Sequence, residues 1–121
     1  MVVPLMLYNV PTLAVIDTGA QITLASKVLC AKAGITYSVD HTIQIRGIGS
    51  DMGMPAHVVP QVPITIGNGT YYWTIIVGDF REDFILGLDF LYEVGARLDF
   101  HQGFLQIADA IIVAKFLSTH L

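Results

Sequence analysis

Residues 14–20 read Ala-Val-Ile-Asp-Thr-Gly-Ala, an apolar run that leads directly into an aspartate. The run predicts a buried strand with the carboxylate of Asp17 at its end. Because Asp and Gly are common turn residues, Asp-Thr-Gly alone favours a plain strand-ending turn. A catalytic interpretation therefore depends on a second segment. Residues 84–91 (Phe-Ile-Leu-Gly-Leu-Asp-Phe-Leu) supply one, an apolar run that enters a glycine and then a predicted helix.

A third segment, residues 45–50 (Ile-Arg-Gly-Ile-Gly-Ser), lies between these two. In this order the three segments resemble the signature of retropepsins, the aspartic proteases of retroviruses and LTR retrotransposons, and they are most similar to the gypsy-type elements. The resemblance covers about residues 5–107. It implies an all-β, mostly antiparallel domain, a closed β-barrel of the retropepsin type with a short helix after the Ile-Leu-Gly motif, which forms a symmetric homodimer.

The chemistry of such a protein requires two carboxylates. Hydrolysing a peptide without a metal needs one group to take a proton from water and another to donate one to the carbonyl oxygen. Two adjacent carboxylates that share one proton can do both, and aspartic proteases are the standard example. The chain has one Asp-Thr-Gly motif, so Asp17 must find its partner in a second copy across a twofold axis.

The resemblance also assigns roles to neighbouring residues. Thr18 would hydrogen-bond across the dimer below the carboxylates, and Gly19 would offer its N–H to them, so the predicted catalytic residues are Asp17, Thr18 and Gly19. The predicted substrate-binding residues follow this triplet, form the tip of a glycine-rich flap, or belong to the Ile-Leu-Gly motif: Ala20, Gln21, Gly47, Ile48, Gly49, Ile85 and Leu86.

The chain departs from the retroviral pattern at two places. Gln21 and Ile22 follow Ala20, where retroviral enzymes often carry acidic residues that grip the substrate backbone, so the substrate preference stays open. Leu88 and Asp89 stand where many retroviral proteases have Arg-Asn, so their Arg-Asp brace is absent. Asp89 is predicted instead to cap the following helix.

Strand-forming segments dominate the rest of the chain and indicate a β-rich domain. The predicted strands are residues 13–16, 42–45, 62–66, 71–77, 97–100 and 104–107. Asn68-Gly69 is predicted to supply the tight turn of a hairpin, Trp73 to be a core or strand-face aromatic, and the charged residues 79–83 to form a solvated loop.

Two short helices are predicted, and the sequence does not decide the structure of the C-terminal segment. Ser26 could cap a helix over residues 26–33 that Gly34 ends, and Gly95 could close a second helix over residues 89–94. The protease domain is predicted over residues 1–107. Residues 108–121 are expected to be a C-terminal extension or linker, and a strand or a helix is also compatible with their sequence.

Composition narrows the function classes. The net charge is −4 and the six basic residues are scattered, which argues against nucleic-acid binding. Four dispersed histidines and one cysteine suggest neither a metal nor another cofactor, and Cys30 is predicted to be a buried thiol.

No apolar run reaches the ~18 residues of a membrane span, and no signal peptide is recognisable. Because 54% of residues are hydrophobic, apolar surface is expected to meet a partner.

We therefore expect an aspartic endopeptidase that works as a homodimer on extended polypeptides, cut from a retroelement polyprotein that it processes. It would act in the cytoplasm or within a retroelement particle. The alternatives are a domesticated cellular protease, a non-catalytic dimerisation module with the same fold, and a weakly associating monomer whose dyad forms only in a precursor.

Overall fold

The computed structural model describes residues 1–38, 42–45 and 54–116. Strands and two short helices alternate along the chain, and their bounds are β1 Val2–Leu7, β2 Val10–Ile16, β3 Leu24–Ser26, α1 Lys27–Lys32, β4 Thr42–Ile45, β5 Met54–Ile66, β6 Gly69–Gly78, β7 Phe84–Leu86, α2 Leu88–Glu93, β8 Arg97–Asp99, β9 Phe104–Ile107 and β10 Ala110–Val113.

Six strands close into a barrel. The large sheet has the order β1-β2-β7-β3-β6-β5-β4, and β1 also pairs with β5 through Met6 opposite Thr65 and Leu7 opposite Ile64. This additional pairing joins the two ends of the six-stranded ring and leaves β4 as an antiparallel extension on β5. The predicted all-β closed barrel is confirmed, including the short helix after Ile-Leu-Gly, and the homodimer stays a prediction.

The main hydrophobic core fills the barrel, because alternate residues of each strand face inward and are apolar. A smaller buried cluster contains Leu24, Ala56 and Ile76. The largest fully buried side chains come from β1, β5, β6, β7, β9 and α2, and include Leu7, Ile64, Ile75, Phe84, Leu105 and Phe90. Phe90 also meets Tyr71 and Trp73 edge to face, with ring centroids 5.5 and 5.4 Å away. The prediction of Trp73 as a packed aromatic is confirmed.

The β5–β6 hairpin forms as predicted, but its turn lies one residue earlier. Thr65 pairs with Thr70 and Ile66 with Gly69, so the two loop residues are Gly67 and Asn68. The positive φ of 60° falls on Gly67, the first loop residue, as in a type II′ turn. The predicted Asn68-Gly69 turn is therefore wrong in position, because the strand register makes Gly69 the first residue of β6.

The two helices have six residues each, and they begin differently. Ser26 caps α1 as predicted, since its hydroxyl accepts a hydrogen bond from Leu29 N at 3.0 Å. At α2 the N-cap is Gly87 and no side chain caps the helix, so the predicted capping role of Asp89 is wrong. No helix in the described ranges is long and apolar enough to cross a membrane.

The C-terminal strands form a second sheet of order β10-β9-β8. The predicted β8–β9 hairpin is confirmed, with Leu98 opposite Leu105. Of the alternatives left open after residue 107, a strand is found over 110–113. An antiparallel bridge between Val2 and Lys115 then joins the end of this sheet to β1.

Candidate active site

Two parallel strands place Asp17 at the end of the barrel. β2 and β7 run side by side with Val15 opposite Ile85 and Ile16 opposite Leu86. One residue beyond this pairing, Asp17 N donates to Leu86 O at 3.1 Å. The Asp-Thr-Gly and Ile-Leu-Gly segments are distant in sequence but are neighbours in the fold. The hydrogen bond to Leu86 O fixes the position at which the chain leaves β2 and enters the Asp17 loop.

A compact turn then orients the carboxylate. Ala20 N donates to Asp17 O at 3.1 Å and closes the turn, while Gly19 N donates to Asp17 Oδ1 at 2.9 Å. A Cβ atom on residue 19 would lie 3.2 Å from that same oxygen, so glycine gives the carboxylate room. Asp17 and Thr18 are exposed. The carboxylate is held in place and accessible.

Asp17 lies in the wall of an open cleft of about 560 Å³. The other lining residues come from the turn, from β2 and β3, from β4 and β6, and from the loop and strand around β7: Val15, Gly19, Ala20, Gln21, Ile22, Leu24, Ile43, Ile45, Ile76, Glu82 and Ile85. Apart from Asp17, Gln21 and Glu82 these are apolar or glycine, which suits a site for aliphatic groups of a ligand beside exposed carboxylates.

The structure brings together most, but not all, of the predicted site residues. Asp17, Gly19, Ala20, Gln21 and Ile85 share the cleft, whereas Thr18 is exposed on the same turn outside its wall.

The Leu86 side chain is fully buried and does not line the cleft, and its carbonyl accepts the hydrogen bond from Asp17 N. The predicted flap tip, Gly47, Ile48 and Gly49, lies outside the described residues. Next to it in sequence, Ile43 and Ile45 of β4 reach the cleft.

Side-chain hydrogen bonds centred on Thr23 and Asp89, called the brace from here on, hold the arm of the Asp17 loop, residues 20–23, that leads into β3. Thr23 is fully buried, and its hydroxyl donates to Asp89 Oδ1 at 2.8 Å and accepts from Gly87 N at 3.1 Å. The other oxygen of Asp89 accepts from Trp73 Nε1 at 2.9 Å. This carboxylate therefore ties β6 and the arm of the loop to the start of α2, which is the role Asp89 has in place of capping.

Backbone contacts reinforce the brace at the same junction. Leu88 N donates to Ala20 O at 2.7 Å and Asp89 N to Gln21 O at 3.2 Å. The backbones approach so closely that a Cβ on Gly87 would lie 2.6 Å from the carbonyl carbon and oxygen of Ile22. Glycine is required at position 87 for lack of space, since its φ of −87° is open to any residue.

Comparison with known proteins assigns the family. The family model described as "gag-polyprotein putative aspartyl protease" matches residues 3–93, which include the Asp17 turn, the cleft and the brace. The chain belongs to this retropepsin-like aspartyl protease family.

The curated relatives of this retropepsin-like chain include DNA damage-inducible protein 1 of Yarrowia lipolytica, 35% identical over 100 residues, and that of Saccharomyces cerevisiae, 31% identical over 103 residues. These alignments cover 79% and 84% of the chain but 24% of each relative. The chain thus spans about a quarter of the length of these proteins.

Among solved structures, the retroviral protease-like domain of Ddi1 from Leishmania major shares the fold. The TM-score is 0.73 with 19% identity, and the match covers 93% of this chain and 88% of that one. Identity at this level supports the fold alone.

The sequence predicts neither the brace nor every residue of the retropepsin-like cleft. The one signal for Thr23 is that it is a polar residue between the apolar Ile22 and Leu24. Glu82 lies in the exposed loop predicted over residues 79–83, and it also lines the cleft, which the sequence does not predict.

Two other predictions concern chemistry outside the cleft. Cys30 is buried as expected, and burial raises the pKa of its thiol to about 11. In the described parts of the chain no three His, Cys, Asp or Glu side chains come together as a metal site.

Proposed function

We propose that this chain is an aspartic endopeptidase that acts as a homodimer, with the Asp17 carboxylates of two copies activating one water molecule. The observation that carries the proposal is the placement of Asp17, which is exposed, held by Gly19 N and Leu86 O, and set in the wall of an apolar cleft. A structural turn aspartate would not need the cleft.

The second carboxylate is proposed to come from a partner subunit. Glu82 is the other acid of the cleft, but among the described residues no hydrogen bond joins it to Asp17. Two carboxylates that share a proton must lie within hydrogen-bond distance of each other. A twofold axis next to the exposed turn brings the two copies of Asp17 to that distance and places Thr18 at the interface.

The reaction then follows from the shared proton. The ionised carboxylate takes a proton from water as the water oxygen attacks the scissile carbonyl carbon, and the protonated carboxylate gives its proton to the carbonyl oxygen. The tetrahedral diol collapses when the protonated carboxylate gives its proton to the nitrogen and the carbon–nitrogen bond breaks, while the other carboxylate takes a proton from a diol hydroxyl. The acid and the amine leave, and the pair again shares one proton. Gly19 N, which donates to Asp17 Oδ1, keeps the carboxylate oriented during these steps.

The proposed substrate is a polypeptide in extended conformation. A strand laid along the cleft would hydrogen-bond through its backbone and place alternate side chains against the aliphatic walls. We propose a retroelement polyprotein as this substrate, with the enzyme in the cytoplasm or in the retroelement particle. The similarity to the DNA damage-inducible proteins supports a second candidate, a domesticated cellular protease. A reverse transcriptase encoded directly downstream would favour the first, and its absence the second.

The experiment is cleavage of a mixed peptide library by the wild-type chain and by Asp17→Asn, at acidic and near-neutral pH, with and without pepstatin. Asp109→Asn is the matched control, because it makes the same change at an exposed turn outside the cleft. We expect cleavage by the wild type and the control and none by Asp17→Asn. A confirmed dimer that cuts no peptide would instead support the non-catalytic module.

A further inference from the structure

The cleft contains an acid that the proposed reaction does not use. Glu82 belongs to the loop between β6 and β7, and its exposed side chain lines the same cleft as Asp17. Its sequence neighbours Arg81 and Asp83 do not line the cleft. Within the described residues neither a hydrogen bond nor an ion pair engages Glu82. Its charge is therefore available to a ligand.

The surroundings of Glu82 suit one class of side chain. The walls contributed by Leu24, Ile76 and Ile85 are aliphatic, and no cationic residue of the described chain lines the cleft. Lysine and arginine combine an aliphatic stem, which packs on apolar walls, with a charged head. A carboxylate would accept that head in a charge-assisted hydrogen bond, and the planar guanidinium of arginine can use both carboxylate oxygens.

We propose that Glu82 is a specificity-determining residue that selects substrates with a basic side chain, arginine before lysine, at one of the positions held in the cleft. The inference rests on the proposed function, since it takes the cleft beside Asp17 to be the substrate site. An acidic side chain at the same position is disfavoured by both Glu82 and Asp17, because like charges in one cleft repel.

Binding of uncleavable peptides tests this without relying on hydrolysis. Extended peptides with a reduced scissile amide carry arginine, norleucine or glutamate at each position in turn, and calorimetry measures their affinity for the wild type, Glu82→Gln and Glu93→Gln. Glu93 is the matched control, because it is an exposed glutamate of α2 outside the cleft. Arg46 follows the lining residue Ile45 in sequence, so the series is repeated with Arg46→Gln to remove that charge from the comparison.

At one position we expect arginine to bind about three- to tenfold more tightly than norleucine in the wild type and in Glu93→Gln, and equally in Glu82→Gln. Equal affinities in the wild type at every position, an arginine advantage that survives Glu82→Gln, or no peptide binding at all would overturn the proposal. An arginine advantage without cleavage of the corresponding amide peptides would sustain the subsite and refute the proposed hydrolysis, so the two failures are distinguishable.

Discussion

Replacing Thr23 by valine should destabilise the protein more than its small change in shape suggests. Valine keeps the volume of the fully buried side chain and removes the hydroxyl that joins Gly87 N to the carboxylate of Asp89. The backbone N–H of Gly87 is buried and would lose its partner. Asp89 is partly exposed and keeps its bond to Trp73, so water can replace part of what it loses.

The magnitude follows from these two losses. A buried donor left without an acceptor costs about 1–3 kcal/mol, and a charge-assisted bond that water partly replaces adds about 1 kcal/mol. The free energy of unfolding should therefore fall by about 2–4 kcal/mol, which for a domain of this size lowers the melting temperature by roughly 10 °C.

The assay is urea unfolding at one fixed protein concentration, since dimerisation would couple stability to concentration. Thr70→Val is the matched control, because its hydroxyl meets Thr65 on an exposed hairpin, and it should change stability by about 0.5 kcal/mol or less. If Thr23→Val unfolds at the same urea concentration as Thr70→Val, the brace does not stabilise the fold as argued.

Two further predictions use the same unfolding measurement. Gly87→Ala should cost about 2–4 kcal/mol, because its Cβ would meet Ile22 backbone at 2.6 Å. Gly34→Ala meets no atom within 4 Å, and its positive φ of 72° should cost only about 1 kcal/mol, so equal losses would refute the steric argument. Burial raises the pKa of the Cys30 thiol from 9.0 to about 11, so the folded protein holds this proton more tightly than the unfolded chain. The resulting stability is present in full below pH 9.0 and is lost as the pH rises from there to about 11. Cys30→Ala should remove that part of the decline, and an unchanged decline would contradict it.

The Asp17 turn could be predicted from sequence because its determinants are local. An apolar strand followed by Asp-Thr-Gly predicts the strand and the exposed carboxylate after it, and the order of three motifs indicates the barrel. The predicted burial of this strand is wrong, because Ala14 is the one buried residue of β2 and Leu13 is exposed. The Ser26 cap is local in the same sense, since the hydroxyl and the N–H it accepts from are three residues apart.

The brace could not be predicted because its partners are distant. Thr23 and Asp89 are 66 residues apart, and only the packing of β3 against β7 brings them together. Helix-capping rules predict a local role for Asp89, but its carboxylate accepts hydrogen bonds from the Thr23 hydroxyl and the Trp73 indole instead. The predicted position of the hairpin turn is wrong for a related reason. Residues 67–69 offer glycine on both sides of Asn68, and cross-strand register chooses between them.

The shared dyad is the central claim, and subunit mixing tests it most directly. Wild-type and Asp17→Asn chains are unfolded together, refolded at constant total concentration in varying ratios, and assayed on one cleaved peptide. If each site needs both carboxylates, activity falls as the square of the wild-type fraction, and an equal mixture keeps about one quarter of the wild-type rate. Activity proportional to the wild-type fraction, about one half in that mixture, would contradict the shared site and place the whole catalytic apparatus within one chain.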